Sequence, residues 1–210
     1  MTALLLPELV GLAALTSLAA SIRPVAAARR LPKLARDALL ALAALTAGIT
    51  IVAMVAHAVS ADDFYQRILP FDGTSRDGTW SDAASILLAN VRIVVTCLAA
   101  GLIVAWAQAG YPADQIPAAR QLLISICDGI LAIIALMNVA IVGVMVGAYG
   151  TALTDSLFPH ALLELPAFAV AAAAYIGVRR STLPSRAAVA AWAGASAALI
   201  PAAILETFVG

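Results

Sequence analysis

The chain reads as an all-α membrane protein: a polytopic helical bundle of about six transmembrane helices with both termini outside. Three observations predict this. Of 210 residues, 63% are hydrophobic and only 11% are charged, whereas soluble domains carry about 45–50% and about 25%; the mean hydropathy is +1.01. The apolar runs reach the ~20 residues that cross roughly 30 Å of hydrocarbon, and they lack the short alternation of barrel strands. The basic residues gather at alternate ends of these runs, as the positive-inside rule requires.

The first apolar run, Leu4 to Ile22, looks superficially like a secretory signal. Its leader, Met1-Thr2-Ala3, has no positive charge, and the basic cluster Arg23, Arg29, Arg30, Lys33 and Arg36 follows the run instead of preceding it. That order predicts an uncleaved span with its N-terminus outside. The cluster then marks the cytoplasmic side, where it also meets anionic membrane lipid.

Asp37 to Ser60 is the second span, with Thr46, Gly48 and Thr50 as small packing residues and His57 one turn from its outer end. The loop Ala61 to Asp82 carries Asp62, Asp63, Asp72, Asp77 and Asp82 against Arg67 and Arg76. Its acidic balance fits the outside. Its carboxylates lack the spacing of a calcium loop, so a solvated loop is the reading adopted.

Ala83 to Ala109 is the third span, with Asn90 and Arg92 in its outer half, and Gly110 to Arg120 is a short cytoplasmic turn or interfacial segment. The fourth run, Gln121 to Tyr149, exceeds what a straight crossing needs. Either Gln121 to Cys127 lies at the interface and the crossing starts at Asp128, or a kinked helix buries Asp128. Gly143 and Gly147 form a GxxxG pair that permits close helix approach. Gly150 to Asp155 reads as an outer loop, Leu157 to Val178 as the fifth span, and Arg179, Arg180 and Arg186 mark the cytoplasm again. Ala187 to Phe208 is the sixth span, with Pro201 a kink and Glu206 near its outer end. No repeat recurs, so residues 1–210 form a single transmembrane domain in the cell membrane.

Function has to be sought among polar groups inside the spans, since an ionisable residue in hydrocarbon is costly and marks a candidate site. The segment Leu157 to Pro166 places His160 and Glu164 between Pro159 and Pro166. At 1.5 Å rise per residue, Glu164 lies roughly 22 Å above Arg179 and His160 about 28 Å above it. The same count from Gln108 puts Arg92 at about 24 Å and Asn90 at about 27 Å. Equal depth predicts an Arg92–Glu164 ion pair facing the bundle interior, with Asn138, midway along the fourth span, completing the cluster. Pro166 has no amide proton and opens the backbone at Leu162, so the fifth span is either kinked there or preceded by a separate short turn from Pro159 to Leu165.

The segment "LFPHALLELPAF" resembles the hallmark of the stage II sporulation protein M family, a Pro-His-Gly followed by Glu-Leu-Pro-Ala at the same spacing. His160, Glu164 and Pro166 fall on its characteristic positions. "LLANVRIVV", with Asn90 and Arg92, resembles the family's Asn-Asn-x-Arg element, and "LMNVAIVG", with Asn138 and Gly143, its Asn-Gly element. The likeness covers about residues 85–180. Ala161, Ala89 and Val139 depart from the family pattern, which has glycine, asparagine and glycine there. The resemblance implies a membrane scaffold for partner proteins, as in the wall-remodelling machinery of engulfment. In relatives found among circular-bacteriocin genes it implies a maturation, secretion or immunity role beside a transporter.

Three functional readings follow. The first is a non-enzymatic scaffold or accessory subunit of a multiprotein membrane complex, partnered by other membrane proteins or by a second copy of itself. The second is a permease-like export subunit working with a separate ATPase subunit, because the chain has no Gly-rich nucleotide loop of its own. The third is an intramembrane metalloenzyme using His57, His160 and Glu164. The first is preferred, with no catalytic residue, metal or cofactor assigned. Twelve basic residues balance twelve acidic ones, so no nucleic-acid partner is expected. Cys97 and Cys127 sit in apolar runs without ligand spacing and read as packing residues.

Overall fold

The computed structural model describes residues 31–59, 78–112 and 114–208. They form five helices: α1 (Leu31–Ala58), α2 (Trp80–Gln108), α3 (Ala118–Tyr149), α4 (Thr151–Arg179) and α5 (Ser185–Phe208). Each contains a stretch long and apolar enough to cross a membrane. The expected first span, Leu4 to Ile22, and most of the acidic loop lie outside the described residues. Among the described residues there is no strand, so the all-α expectation holds.

Helix boundaries follow local chemistry. Trp80 to Asp82, expected as the end of a loop, are helical because Thr79 and Asp82 form a reciprocal capping box. Thr79 Oγ1 accepts from the Asp82 amide at 3.3 Å, and Asp82 Oδ2 accepts from the Thr79 amide at 2.9 Å. These bonds satisfy amides that a helix start otherwise leaves orphaned. The outer loop expected from Gly150 to Asp155 is also absent. Gly150 alone separates α3 from α4, at φ 58° and ψ −131°, a backbone region that only glycine occupies without strain.

The separate short turn considered for Pro159 to Leu165 does not form. Both prolines lie inside one continuous helix, α4, although Pro166 still supplies no amide to the Leu162 carbonyl. The alternative that a kink buries Asp128 does not hold. Helix α3 runs unbroken from Ala118, and the half-exposed Asp128 carboxylate bridges to α4. It accepts from the Arg179 Nε at 3.1 Å and from the Tyr175 hydroxyl at 2.5 Å.

Helix α4 is the central element, touching all four others. Its second half, Ala167 to Val178, is buried on nearly every face, because half of the run is alanine and lets neighbouring backbones come close. Trp192 of α5 fills the space this leaves. It is 1% exposed, its indole donates to the Ala171 carbonyl at 3.0 Å, and its ring lies where a side chain on Gly101 of α2 would have to go. Cys97 and Cys127 are buried free thiols, as their positions predicted. Helices α2 and α4 run parallel, with α5 antiparallel to both.

The GxxxG pair makes the α1–α3 contact. A Cβ on Gly143 would lie 2.6 Å from Val52 Cβ, and one on Gly147 would lie 2.6 Å from the Ala53 carbonyl oxygen. Gly129, on the same helix, faces open space. Gly147→Val should therefore lower bundle stability by about 1–3 kcal/mol through overpacking, while Gly129→Ala should be neutral. Thermal unfolding of the two variants in detergent checks this.

Candidate functional site

The polar side chains of three helices converge near the end of the bundle where α2 begins and α5 finishes. At that end Trp80 stands against Phe208, with ring centroids 5.0 Å apart. His160 and Glu164, four residues apart, share one face of α4. Asn90 on α2 donates from Nδ2 to Glu164 Oε1. Glu206 of α5 completes the group: one ligating atom each of His160, Glu164 and Glu206 lie within 4.8 Å of one another.

His160 is 3% exposed, and its Nδ1 is buried without a hydrogen-bond partner. The two carboxylates are half-buried. A buried polar atom without a partner is unfavourable, and two facing carboxylates in a medium of low dielectric need a positive charge or a shared proton between them. Among the described residues no basic side chain supplies it.

Arg92 and Asn138 are elsewhere. Both are exposed on the outside of the bundle, so the expected Arg92–Glu164 pair does not form. The reason is azimuth. Successive helical residues turn by about 100°, so Arg92, two positions beyond Asn90, points to nearly the opposite side of α2. The inward face runs instead through Asn90, Val94, Cys97, Gly101 and Val104, all of them at least half-buried. On α3 the inward positions are Gly143 and Gly147, and Asn138 turns away, its amide donating to the Ile134 carbonyl at 2.8 Å. His57 is also exposed and stands outside the group.

Glu206 is the residue that depth counting had not linked to the cluster. The signal was present: it lies roughly 30 Å along α5 from Arg186, the level of His160 on α4.

Comparison with known protein families matches residues 38–210 to the family described as stage II sporulation protein M. The chain belongs to the stage II sporulation protein M family. The match extends well beyond residues 85–180 and takes in α2 to α5 entirely and most of α1, so Glu206 falls within the family region together with His160, Glu164 and Asn90. Comparison with curated proteins and with solved structures returns no match. This member of the stage II sporulation protein M family is a membrane helical protein whose hallmark segment lies within α4 and projects His160 and Glu164 toward α2 and α5.

Asn90 is the one side-chain donor to Glu164 among the described residues. Removing it with Asn90→Ala should cost about 1.5–3 kcal/mol, the usual range for a hydrogen bond to a charged group. Asn90→Asp, which adds a third carboxylate, should cost more. Unfolding of both variants in detergent, compared with Leu88→Ala on the exposed side of α2, measures the difference.

Proposed function

We propose that the chain is a non-enzymatic subunit of a multiprotein membrane complex, held across the cell membrane as a multi-pass bundle and docked laterally against a partner membrane protein. Arg92 carries this reading. Trp80 and Trp106 are both exposed near the two ends of α2, as aromatic anchors at the two membrane interfaces would be. Arg92 lies roughly 18 Å from the first and 21 Å from the second along the helix, well within the span, and it faces out of the bundle.

An arginine facing lipid at that depth costs at least about 2.5–3.5 kcal/mol. A carboxylate or a row of carbonyls on a neighbouring chain removes that cost. Asn138, also exposed and near the middle of its own span, supports the same reading. The orientation belongs to the proposal too. Lys33, Arg36, Arg120, Arg179, Arg180 and Arg186 are gathered at one end of the antiparallel array, which the positive-inside rule places in the cytoplasm, leaving the His160–Glu164–Glu206 end outside.

The test is a photoreactive residue at Leu88 or Val95, which share the exposed face of α2 with Arg92, introduced into the full chain in its native membrane. Adducts to a polypeptide are expected, and their identity separates a second copy, a scaffold partner and an export complex containing an ATPase. Arg92→Leu should abolish these adducts while leaving the detergent-purified chain at least as stable as the parent. Adducts to lipid alone would overturn the reading.

A further inference from the structure

The geometry points to a divalent transition-metal site, of the zinc class, built from His160, Glu164 and Glu206 near the end of the bundle where α2 begins. It rests on the cluster alone and is independent of how α2 docks.

The first argument is charge. As ligands, two glutamates and a neutral imidazole present a net charge of −2, and a single divalent ion balances it. A buried carboxylate pair without a compensating charge is unfavourable in a medium of low dielectric. The basic residue at similar depth, Arg92, points out of the bundle. A monovalent cation would leave one negative charge uncompensated.

The second argument is the imidazole. His160 is 97% removed from solvent, being 3% exposed, and its Nδ1 has neither water access nor a protein partner. That nitrogen belongs to an imidazole beside two carboxylates, and in the tautomer that leaves it unprotonated its lone pair is free to bind an ion. The same buried atom would be an uncompensated defect if the cluster were only structural.

The third argument is geometry. The three ligating atoms lie within 4.8 Å of one another and come from two helices. Zinc bonds at about 2.0–2.2 Å to nitrogen and oxygen bring ligands to roughly 3.5 Å apart, so closure needs only side-chain adjustment of about an ångström. Asn90 already holds one oxygen of Glu164, the outer-shell support that aims a carboxylate's remaining lone pairs at an ion. Pro166, two positions beyond Glu164, has no amide to donate to the Leu162 carbonyl and loosens the backbone on which that adjustment occurs. One histidine with two carboxylates is a mixed nitrogen and oxygen set that suits zinc and its first-row neighbours more than magnesium or calcium, which favour all-oxygen cages.

The experiment uses the full chain in lipid nanodiscs, stripped with chelator and then dialysed against Zn²⁺ or Co²⁺. One equivalent of metal per chain is expected to remain, and the Co²⁺ form should show visible d–d absorption. X-ray absorption at the zinc edge should report nitrogen and oxygen neighbours without sulfur. Glu206→Gln, which preserves shape, and His160→Ala should each weaken binding at least 100-fold. Asn90→Ala should weaken it by about 10–100-fold, and His57→Ala should leave it unchanged. Failure to retain a stoichiometric ion would overturn the inference and leave the carboxylates as a proton-sharing pair. Sulfur in the metal's coordination shell, undiminished affinity in Glu206→Gln, or loss of binding in His57→Ala would overturn it equally. Because the wild-type stoichiometry and the coordination spectrum need no variant, a misfolded His160→Ala does not blunt the test.

Discussion

Helix α4 can stand at the centre of the bundle because half of the residues from Ala167 to Val178 are alanines. From Ala167 to Val178 the alanines let α1, α2 and α5 approach its backbone from several sides at once. In lipid this matters more than in water, since apolar side chains gain little by leaving hydrocarbon and association relies on close packing. Trp192 is the counterpart of that smoothness. One large ring, satisfied by the Ala171 carbonyl, occupies the volume that the alanines of α4 and Gly101 of α2 leave open.

The same construction explains why the polar cluster lies where it does. The alanine run occupies one half of α4, and the other half begins where Pro166 interrupts the amide ladder. Above that break α4 carries Glu164 and His160, and α5 and α2 bring Glu206 and Asn90 to meet them. At the opposite end, Asp128, Tyr175 and Arg179 tie α3 to α4, while Arg120 lies over the rings of Trp106 and Tyr111, 4.6 and 4.8 Å from their centroids. That end gives its Asp128 carboxylate a basic partner in Arg179. The His160 end gives its carboxylates none among the described residues, and this asymmetry is what gives it chemical interest.

Much of this was legible in the sequence, because hydrophobic length and charge placement are one-dimensional signals. The later spans were found to within a few residues, and rise per residue placed Glu164, His160 and Asn90 at compatible depths. Depth alone did not distinguish Asn90 from Arg92, since two residues differ by only about 3 Å along the axis but by about 200° around it. The inward face was written in the small and apolar residues at Val94, Cys97, Gly101 and Val104, which show which side of α2 is packed. Glu206 escaped for a different reason. Its connection to Glu164 runs through tertiary contact between α4 and α5, and no spacing within either helix encodes it. The stretch from Thr151 to Asp155 read as a loop because polar residues there mimic a turn, whereas the backbone freedom of Gly150 alone reverses the chain.

That single glycine has a consequence for how anything can recognise this protein. With no loop between α3 and α4, the hairpin they form turns on one residue, and its α3 arm is held against α1 through Gly143 and Gly147. A surface that grips this hairpin near its tip therefore meets the sides of two helices and not a loop between them.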